Sequence, residues 1–354
     1  MKRKPISEQV VVIVGANSGI GRETAYRFAE RGAKVVAAGR SLPALNELVQ
    51  EIRSAGGEAT AIEADVSQYE QMYSLAARAV EIYGRIDTWV HAAAVSIYSP
   101  FQEIRPDEFR KLIEVNLIGQ AFGAMAALPH LKRTGRGALI HIGSLESKRS
   151  FPLHSVYSAS KHGMIGFIDA LRVELMHDRT PVSVTTILPA GINTPFFDKS
   201  LTRIGVKPRP SPPVYEPRLV ADAILHAAEH PAREIYVGGA GKSIEWLHLL
   251  SPGLVDRLLS RFGYRPQMTH TPKTDQAPSN LFEHIDGYDQ VQGSFSQDTK
   301  PFSLYTGWET RPAVRWGLLA VMAGIGLTVV ARRRPVRRWM GLASRLNRLR
   351  KIYL

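Results

Sequence analysis

Val10-Val11-Val12-Ile13-Val14-Gly15-Ala16-Asn17-Ser18-Gly19-Ile20-Gly21 is where the fold of this chain can be read. Val10 to Val14 are β-branched without interruption, the pattern of a strand buried on both faces of a parallel sheet. The run stops at Gly15, and Ile20, Ala25, Phe28 and Ala29 then recur with a helical period. Strand, glycine turn and helix bring backbone N–H groups and the positive end of a helix to one point, which suits a phosphate. The glycines permit the tight turn and a close approach of backbone to ligand.

Apolar runs near 34–38, 59–63, 86–91, 138–142, 182–188 and 235–237 follow, separated by helical stretches. With residues 10–14 they predict an α/β fold, a Rossmann-like doubly wound parallel sheet of about seven strands. The 354 residues suffice for one large domain, expected over 1–265, and an appendage. No solenoid-type repeat is visible. The chain has no cysteine, which excludes disulfides, thiolate catalysis and Cys-based metal sites. Its histidines show no metal-ligand spacing, so no metal site is expected.

Further along, Tyr157-Ser158-Ala159-Ser160-Lys161 puts a phenol and an ammonium on one helix face, and Ser144 follows the apolar strand at 138–142. A phenol titrates near 10 in water, too high for a proton shuttle at neutral pH, and a nearby ammonium favours the phenolate. A hydroxyl such as that of Ser144 suits a substrate oxygen on which charge develops.

Gly15-x-x-x-Gly19-x-Gly21, Asn116, Ser144 and Tyr157-x-x-x-Lys161, in this order, resemble the short-chain dehydrogenase/reductase family over roughly residues 7–250. The resemblance implies hydride transfer between a nicotinamide dinucleotide and a carbonyl or alcohol carbon. It implies Tyr157 as general acid/base and Ser144 on the substrate oxygen. Lys161 would lower the tyrosine pKa and hold the nicotinamide ribose, and Asn116, in a helix over about 107–131, would position a relay water. Gly15, Asn17, Ser18, Gly19, Ile20 and Gly21 would form the dinucleotide turn, with Asp65 and Val66 at adenine and Ala92 and Ala93 beside the cofactor. Pro189 opens the segment whose Ile192 and Thr194 would grip the nicotinamide carboxamide. The family also implies a homo-oligomer.

Two departures from the family pattern stand out. His91-Ala92-Ala93-Ala94 replaces the usual Asn-Asn-Ala-Gly, and Pro189-Ala190 the usual Pro-Gly. His91 is expected as a satisfied core histidine, and Ala94 adds a methyl group beside the cofactor. The competing reading is a dinucleotide-binding scaffold or redox sensor that no longer turns over.

The second strand ends at Gly39-Arg40-Ser41. Selection of NAD needs an acidic group there, whereas a 2′-phosphate needs a cation, so Arg40 predicts NADP(H), with Arg22 adding positive charge. Tyr98, Phe151, Leu153, Phe196 and Phe197 would furnish an apolar pocket, with His154 a polar contact and the proline-rich loop 203–217 a lid. A small lipophilic carbonyl or alcohol is the expected substrate.

The C-terminal third leaves the family pattern. Residues 242–263, leucine-rich and broken at Pro252, read as helices with an apolar face for a membrane or a partner. Residues 266–311 lack periodicity and are expected as a flexible linker. Residues 312–331 are expected as a transmembrane or re-entrant helix. Its uncharged core, Trp316 to Ala331, has 16 residues. That is about 24 Å of helix against a bilayer core of about 30 Å. The tail, 332–354, carries nine cations and no carboxylate side chain; with Arg315 these account for ten of the formal +13. The basicity is therefore local, which disfavours a nucleic-acid-binding body and suits an anionic membrane surface. Residues 1–10 show no signal-peptide pattern. A positive-inside tail with one full crossing would export the catalytic domain, so a membrane-associated domain in the cytoplasm is expected and the orientation stays open.

Overall fold

The β-branched run Val10–Val14 forms strand β1, and every one of its residues is buried. The computed structural model describes residues 3–311, 314 and 316. Six more strands complete the sheet: β2 (Lys34–Gly39), β3 (Glu58–Glu63), β4 (Thr88–His91), β5 (Ala138–Ile142), β6 (Ser183–Pro189) and β7 (Glu234–Val237). Their order is β7-β6-β5-β4-β1-β2-β3, and all neighbours are parallel. The seven expected strands and the doubly wound Rossmann-like fold are thus present.

Alternation along the strands divides the core into two layers. Val11 and Ile13 pack with helices α1 (Gly19–Glu30) and α2 (Leu42–Ser54), through Ala25, Phe28, Leu45 and Leu48. Val12 and Val14 face the opposite layer, which holds Met72 and Leu75 of α3 (Tyr69–Tyr83). That layer also contains Leu112 of α4 (Pro106–Ile113), Leu131 of α5 (Gly119–Arg133) and Ile168 of α6 (Ser155–His177). A π-helical turn, Glu114–Ile118, joins α4 to α5. The combined helix Pro106–Arg133 is the one described helix long and apolar enough to cross a membrane, yet half of its most apolar window is buried against the fold. Helix α7 (Pro217–Glu229) closes the first layer with Val220 and Ile224.

β1 and β4 are neighbours in the sheet but far apart in sequence. The chain reverses direction across the sheet at this pair, and a crevice opens beyond the carboxyl ends of the two strands. Helices α8 (Ala240–Leu250) and α9 (Pro252–Phe262) then follow, separated at Pro252 as expected.

The segment after them requires a correction. Residues 266–311 were expected as a flexible linker, but the chain as far as Thr306 belongs to the same compact unit as the sheet. Met268–Pro272 pairs antiparallel with Val206–Pro208, and Thr299–Lys300 pairs with Val214–Tyr215, which in turn pairs with Gly191–Ile192. Leu281 is fully buried. The segment lacks sequence periodicity because its backbone bonds to other loops rather than to a regular element of its own. The proline-rich loop is held in the same way. The expected membrane segment 312–331, Val314 and Trp316 apart, and the tail 332–354 lie outside the described residues.

Candidate active site

The glycine turn shows why its residues have no substitutes. Gly15 has φ +87°, and a Cβ there would stand 2.6 Å from the Ala93 amide nitrogen. A Cβ on Gly21 would overlap the Gly15 carbonyl oxygen. These contacts bring the first turn of α1 tightly against β1 and β4, and the cleft of about 530 Å³ opens above them. Its lining brings together Gly15, Asn17, Ser18, Gly19, Ile20, Gly21, Arg40, Asp65, Val66, Ala92 and Ala93 from the first half of the chain. Ser144, Tyr157, Lys161, Pro189, Ile192 and Thr194 join them from the second half. Tyr98, Phe151, His154, Phe196 and Phe197 line the same cleft, with Ser211, Pro212 and Pro213 of the proline-rich loop; Leu153 stands just outside it.

Tyr157 and Lys161 lie one turn apart near the start of α6, with the ammonium 5.6 Å from the phenol ring centroid. Lys161 is 1% exposed and donates to the Ile142 carbonyl at 2.8 Å. Burial pulls its pKa down to about 8, against the attraction of Glu146. The Tyr157 phenol is pushed well up, first by burial and then by the Glu146 carboxylate, while a hydrogen bond with the Ser144 side chain opposes the rise. Ser144 caps a short 3-10 turn and accepts from the Glu146 amide at 3.1 Å. Asn116 lies outside the cleft lining. It sits in the π-helical turn and clamps the Val95 backbone, accepting from its N–H and donating to its carbonyl, both at 2.8 Å.

Glu146 is the residue that sequence reasoning missed. Its carboxylate accepts from Ser158 Oγ at 2.6 Å and holds His154 Nδ1 at 2.6 Å, and the His154 ring packs 3.7 Å from that of Tyr98. A buried carboxylate thus backs the tyrosine. Glu146 lies two residues from Ser144, but only the fold shows that it faces Tyr157 rather than solvent.

At the opposite end of the cleft, Asp65 accepts from the Ser67 amide at 2.9 Å and hydroxyl at 2.8 Å. Burial opposes its ionisation, yet these bonds and the charges of Lys111 and Arg40 hold it below the usual carboxylate range. Arg40 donates to the backbone oxygens of Asn280 at 2.8 Å and Phe282 at 3.1 Å. Arg22 does not add charge to the cleft. Its guanidinium is spent on Glu51 at 2.6 Å and on the Asp289 carbonyl at 2.8 Å.

The short chain dehydrogenase profile matches residues 9–204, more than half of the chain. The chain belongs to the short-chain dehydrogenase/reductase family. It is an oxidoreductase of that family. It is 37% identical over 337 residues to the uncharacterized oxidoreductase YxnA of Bacillus subtilis, covering 94% of this chain and 93% of the relative. Dehydrogenase/reductase SDR family member 7B of Bos taurus is 32% identical over 270 residues, with 73% of this chain and 82% of the relative covered. Among solved structures, a metagenomic short-chain oxidoreductase in complex with NADP aligns with a TM-score of 0.56 at 28% identity, over 66% of this chain and 98% of that one. A 3-ketoacyl-ACP reductase from Sinorhizobium meliloti aligns with a TM-score of 0.59 at 28% identity, over 66% and 99%.

The altered family segment 91–94 is also explained by packing. His91 is fully buried, and among the described residues neither ring nitrogen finds a hydrogen-bond partner, which corrects the expectation of a satisfied histidine. Gly123 of α5 is the cause, because a Cβ there would overlap His91 Nδ1 and the helix backbone rides directly on the ring. Burial, His141 and Lys161 together push the His91 pKa well below its ordinary value, so the ring is neutral. The methyl of Ala94 does line the cleft. His284, which also lines the cleft, brings its ligand atom within 4.8 Å of those of Asp286 and Asp289, a grouping that sequence spacing did not suggest.

Proposed function

We propose that this protein is an NADP(H)-dependent oxidoreductase interconverting a small lipophilic alcohol and its ketone or aldehyde at a membrane surface. The observation that carries this reading is the convergence of Ser144, Tyr157 and Lys161 at one end of a cleft whose other end presents Arg40. The cleft fits a dinucleotide. Gly15 and Gly21 leave no room for side chains where backbone must approach it, because a Cβ at either would overlap backbone atoms, and Gly39 supplies no acidic side chain to select NAD. When bound, the nicotinamide supplies or accepts the hydride.

Tyr157 carries the proton in this reading and Ser144 holds the reacting oxygen. Lys161 has one N–H on Ile142, which leaves two for the ribose. Asn116 positions the relay water through the backbone segment that it clamps. The raised pKa of Tyr157 supports carbonyl reduction, because the phenol stays protonated and ready to donate. Glu146→Gln removes the charge that raises the tyrosine pKa, so phenolate forms at lower pH. Alcohol oxidation needs that phenolate, and its pH–rate profile is expected to move to lower pH. An unmoved profile would show that the carboxylate is not felt at Tyr157.

A membrane site is supported by Trp246, Leu249, Leu250, Leu254 and Phe262, all exposed on α8 and α9. Val255 and Leu259 of α9 line the cleft, so a lipophilic substrate would pass along an apolar wall. The arginine-rich tail would add about 1 kcal/mol per basic residue on an anionic surface, with the catalytic domain in the cytoplasm. A homo-oligomer is supported by Met125 on α5 and Val173 and Met176 on α6, all of which face solvent.

Titration of the full chain with NADPH and with NADH, followed by nicotinamide fluorescence, tests the cofactor assignment. Arg40→Ala is expected to weaken NADPH binding by about 10- to 100-fold, the loss of one charge-assisted contact, and to leave NADH binding unchanged. Equal loss for both cofactors would remove Arg40 from the selector role.

A further inference from the structure

Lys199 is a buried cation in the wrong company for a merely structural residue. It closes the short helix Phe196–Lys199 and is 7% exposed. Its Nζ donates to Ser18 Oγ at 2.7 Å and to the Tyr288 carbonyl at 3.4 Å. Ser18 is the N-cap of α1, a helix of 12 residues, so the ammonium lies against the positive end of the helix dipole. Arg40 repels it as well. No carboxylate among the described residues lies within ion-pair distance of its nitrogen. The two nearest acids are engaged elsewhere, Asp198 with Lys207 and Ser294, and Asp289 with His284.

An unpaired ammonium beside a helix N-terminus and a guanidinium is costly unless an anion joins them. The Gly19 N–H points to the same place, where the Gln290 carbonyl accepts it at 3.0 Å. Two backbone oxygens of one segment, those of Tyr288 and Gln290, therefore hold donors that an anion would satisfy better. Position is fixed from behind, because the Asn280 amide donates to the Lys199 carbonyl at 3.0 Å.

We propose that Lys199 is a cofactor-binding residue that carries the diphosphate of the dinucleotide, in series with the first turn of α1. The assignment rests on the dinucleotide reading of the cleft. It differs from the role of Arg40, because the diphosphate is common to NADPH and NADH whereas the 2′-phosphate is not.

Full-length wild type, Lys199→Met and Lys199→Arg are titrated with NADPH and with NADH. Lys199→Met is expected to weaken both cofactors by the same factor, about 10- to 100-fold, and Lys199→Arg to restore most of it. A second readout uses the wild type across pH. Burial and Arg40 bring the Lys199 pKa down to about 8, with Asp289 and Asp198 opposing. Affinity for both cofactors should fall as pH rises through the lysine titration, which lies at or above that value once an anion is bound. Lys161 titrates in the same region in the free protein, so Lys199→Arg assigns the effect by flattening its Lys199 component. This arm needs no destabilising variant.

Unchanged affinity in a folded Lys199→Met protein overturns the proposal, as does loss confined to NADPH, which would move Lys199 to the 2′-phosphate. An identical fall with pH in wild type and Lys199→Arg overturns it too. If wild type binds neither cofactor, the dinucleotide reading itself falls and takes this one with it.

Discussion

Tyr157→Phe is expected to lower kcat by about 1,000-fold while NADPH affinity stays within about twofold of wild type, the scale of a lost general acid. The substitution removes one oxygen and keeps the ring, which packs edge-on against Phe196 with centroids 5.7 Å apart. The hydroxyl loses its hydrogen bond with Ser144, but the Ser144 Oγ keeps the Glu146 amide, so the turn after β5 should hold. Lys161 depends on the Ile142 carbonyl rather than on the phenol for its position. Cofactor affinity should therefore separate cleanly from turnover. Steady-state kinetics with a lipophilic carbonyl, beside a fluorescence titration, reads both. Turnover within tenfold of wild type would remove Tyr157 as the proton donor and reopen the scaffold reading.

What could be read in the sequence divides along physical lines. The seven strands were legible because a parallel sheet buried on both faces favours near-continuous apolar runs, which Val10–Val14 supplies without a break and Ala138–Ile142 with His141 as its one polar residue. The glycine turn was legible because close backbone contacts leave glycine no rival. Glu146 was not, since a carboxylate two residues past a strand reads equally well as a solvated charge. Arg22 misled for the opposite reason. It follows the glycine turn directly, yet its place on α1 points it at Glu51 of α2. Least legible was the stretch 266–306. Its order comes from pairing with loops about 60 to 100 residues earlier, as at Met268 with Pro208 or Thr299 with Val214, and such pairing leaves no period behind.

That last stretch leads to the second large effect. A chain ending at 265 retains all seven sheet strands, and family resemblance alone would choose that boundary. It is nevertheless expected to melt about 10 °C or more below a chain ending at 310. Fully burying a Leu or Phe side chain stabilises by about 1.5–3 kcal/mol, and the longer chain buries Leu281 at 0% and Phe295 at 9% exposure. Each kcal/mol corresponds to about 2–4 °C for a domain near this size. Phe295 also packs edge-on against Phe197, which lines the cleft, so its removal opens the cleft on that side. Arg40 loses both backbone acceptors, and Lys199 loses the Asn280 bond that places it. NADPH affinity should fall by about tenfold or more for the shorter chain, because the two cations then spend binding energy on becoming ordered. Differential scanning calorimetry and cofactor titration of the two chains compare these effects directly. Equal melting temperatures would mean that the segment adds no stability. Tighter NADPH binding by the shorter chain would mean that the carbonyls of Asn280, Phe282, Tyr288 and Gln290 compete with the cofactor for its donors rather than hold them in place.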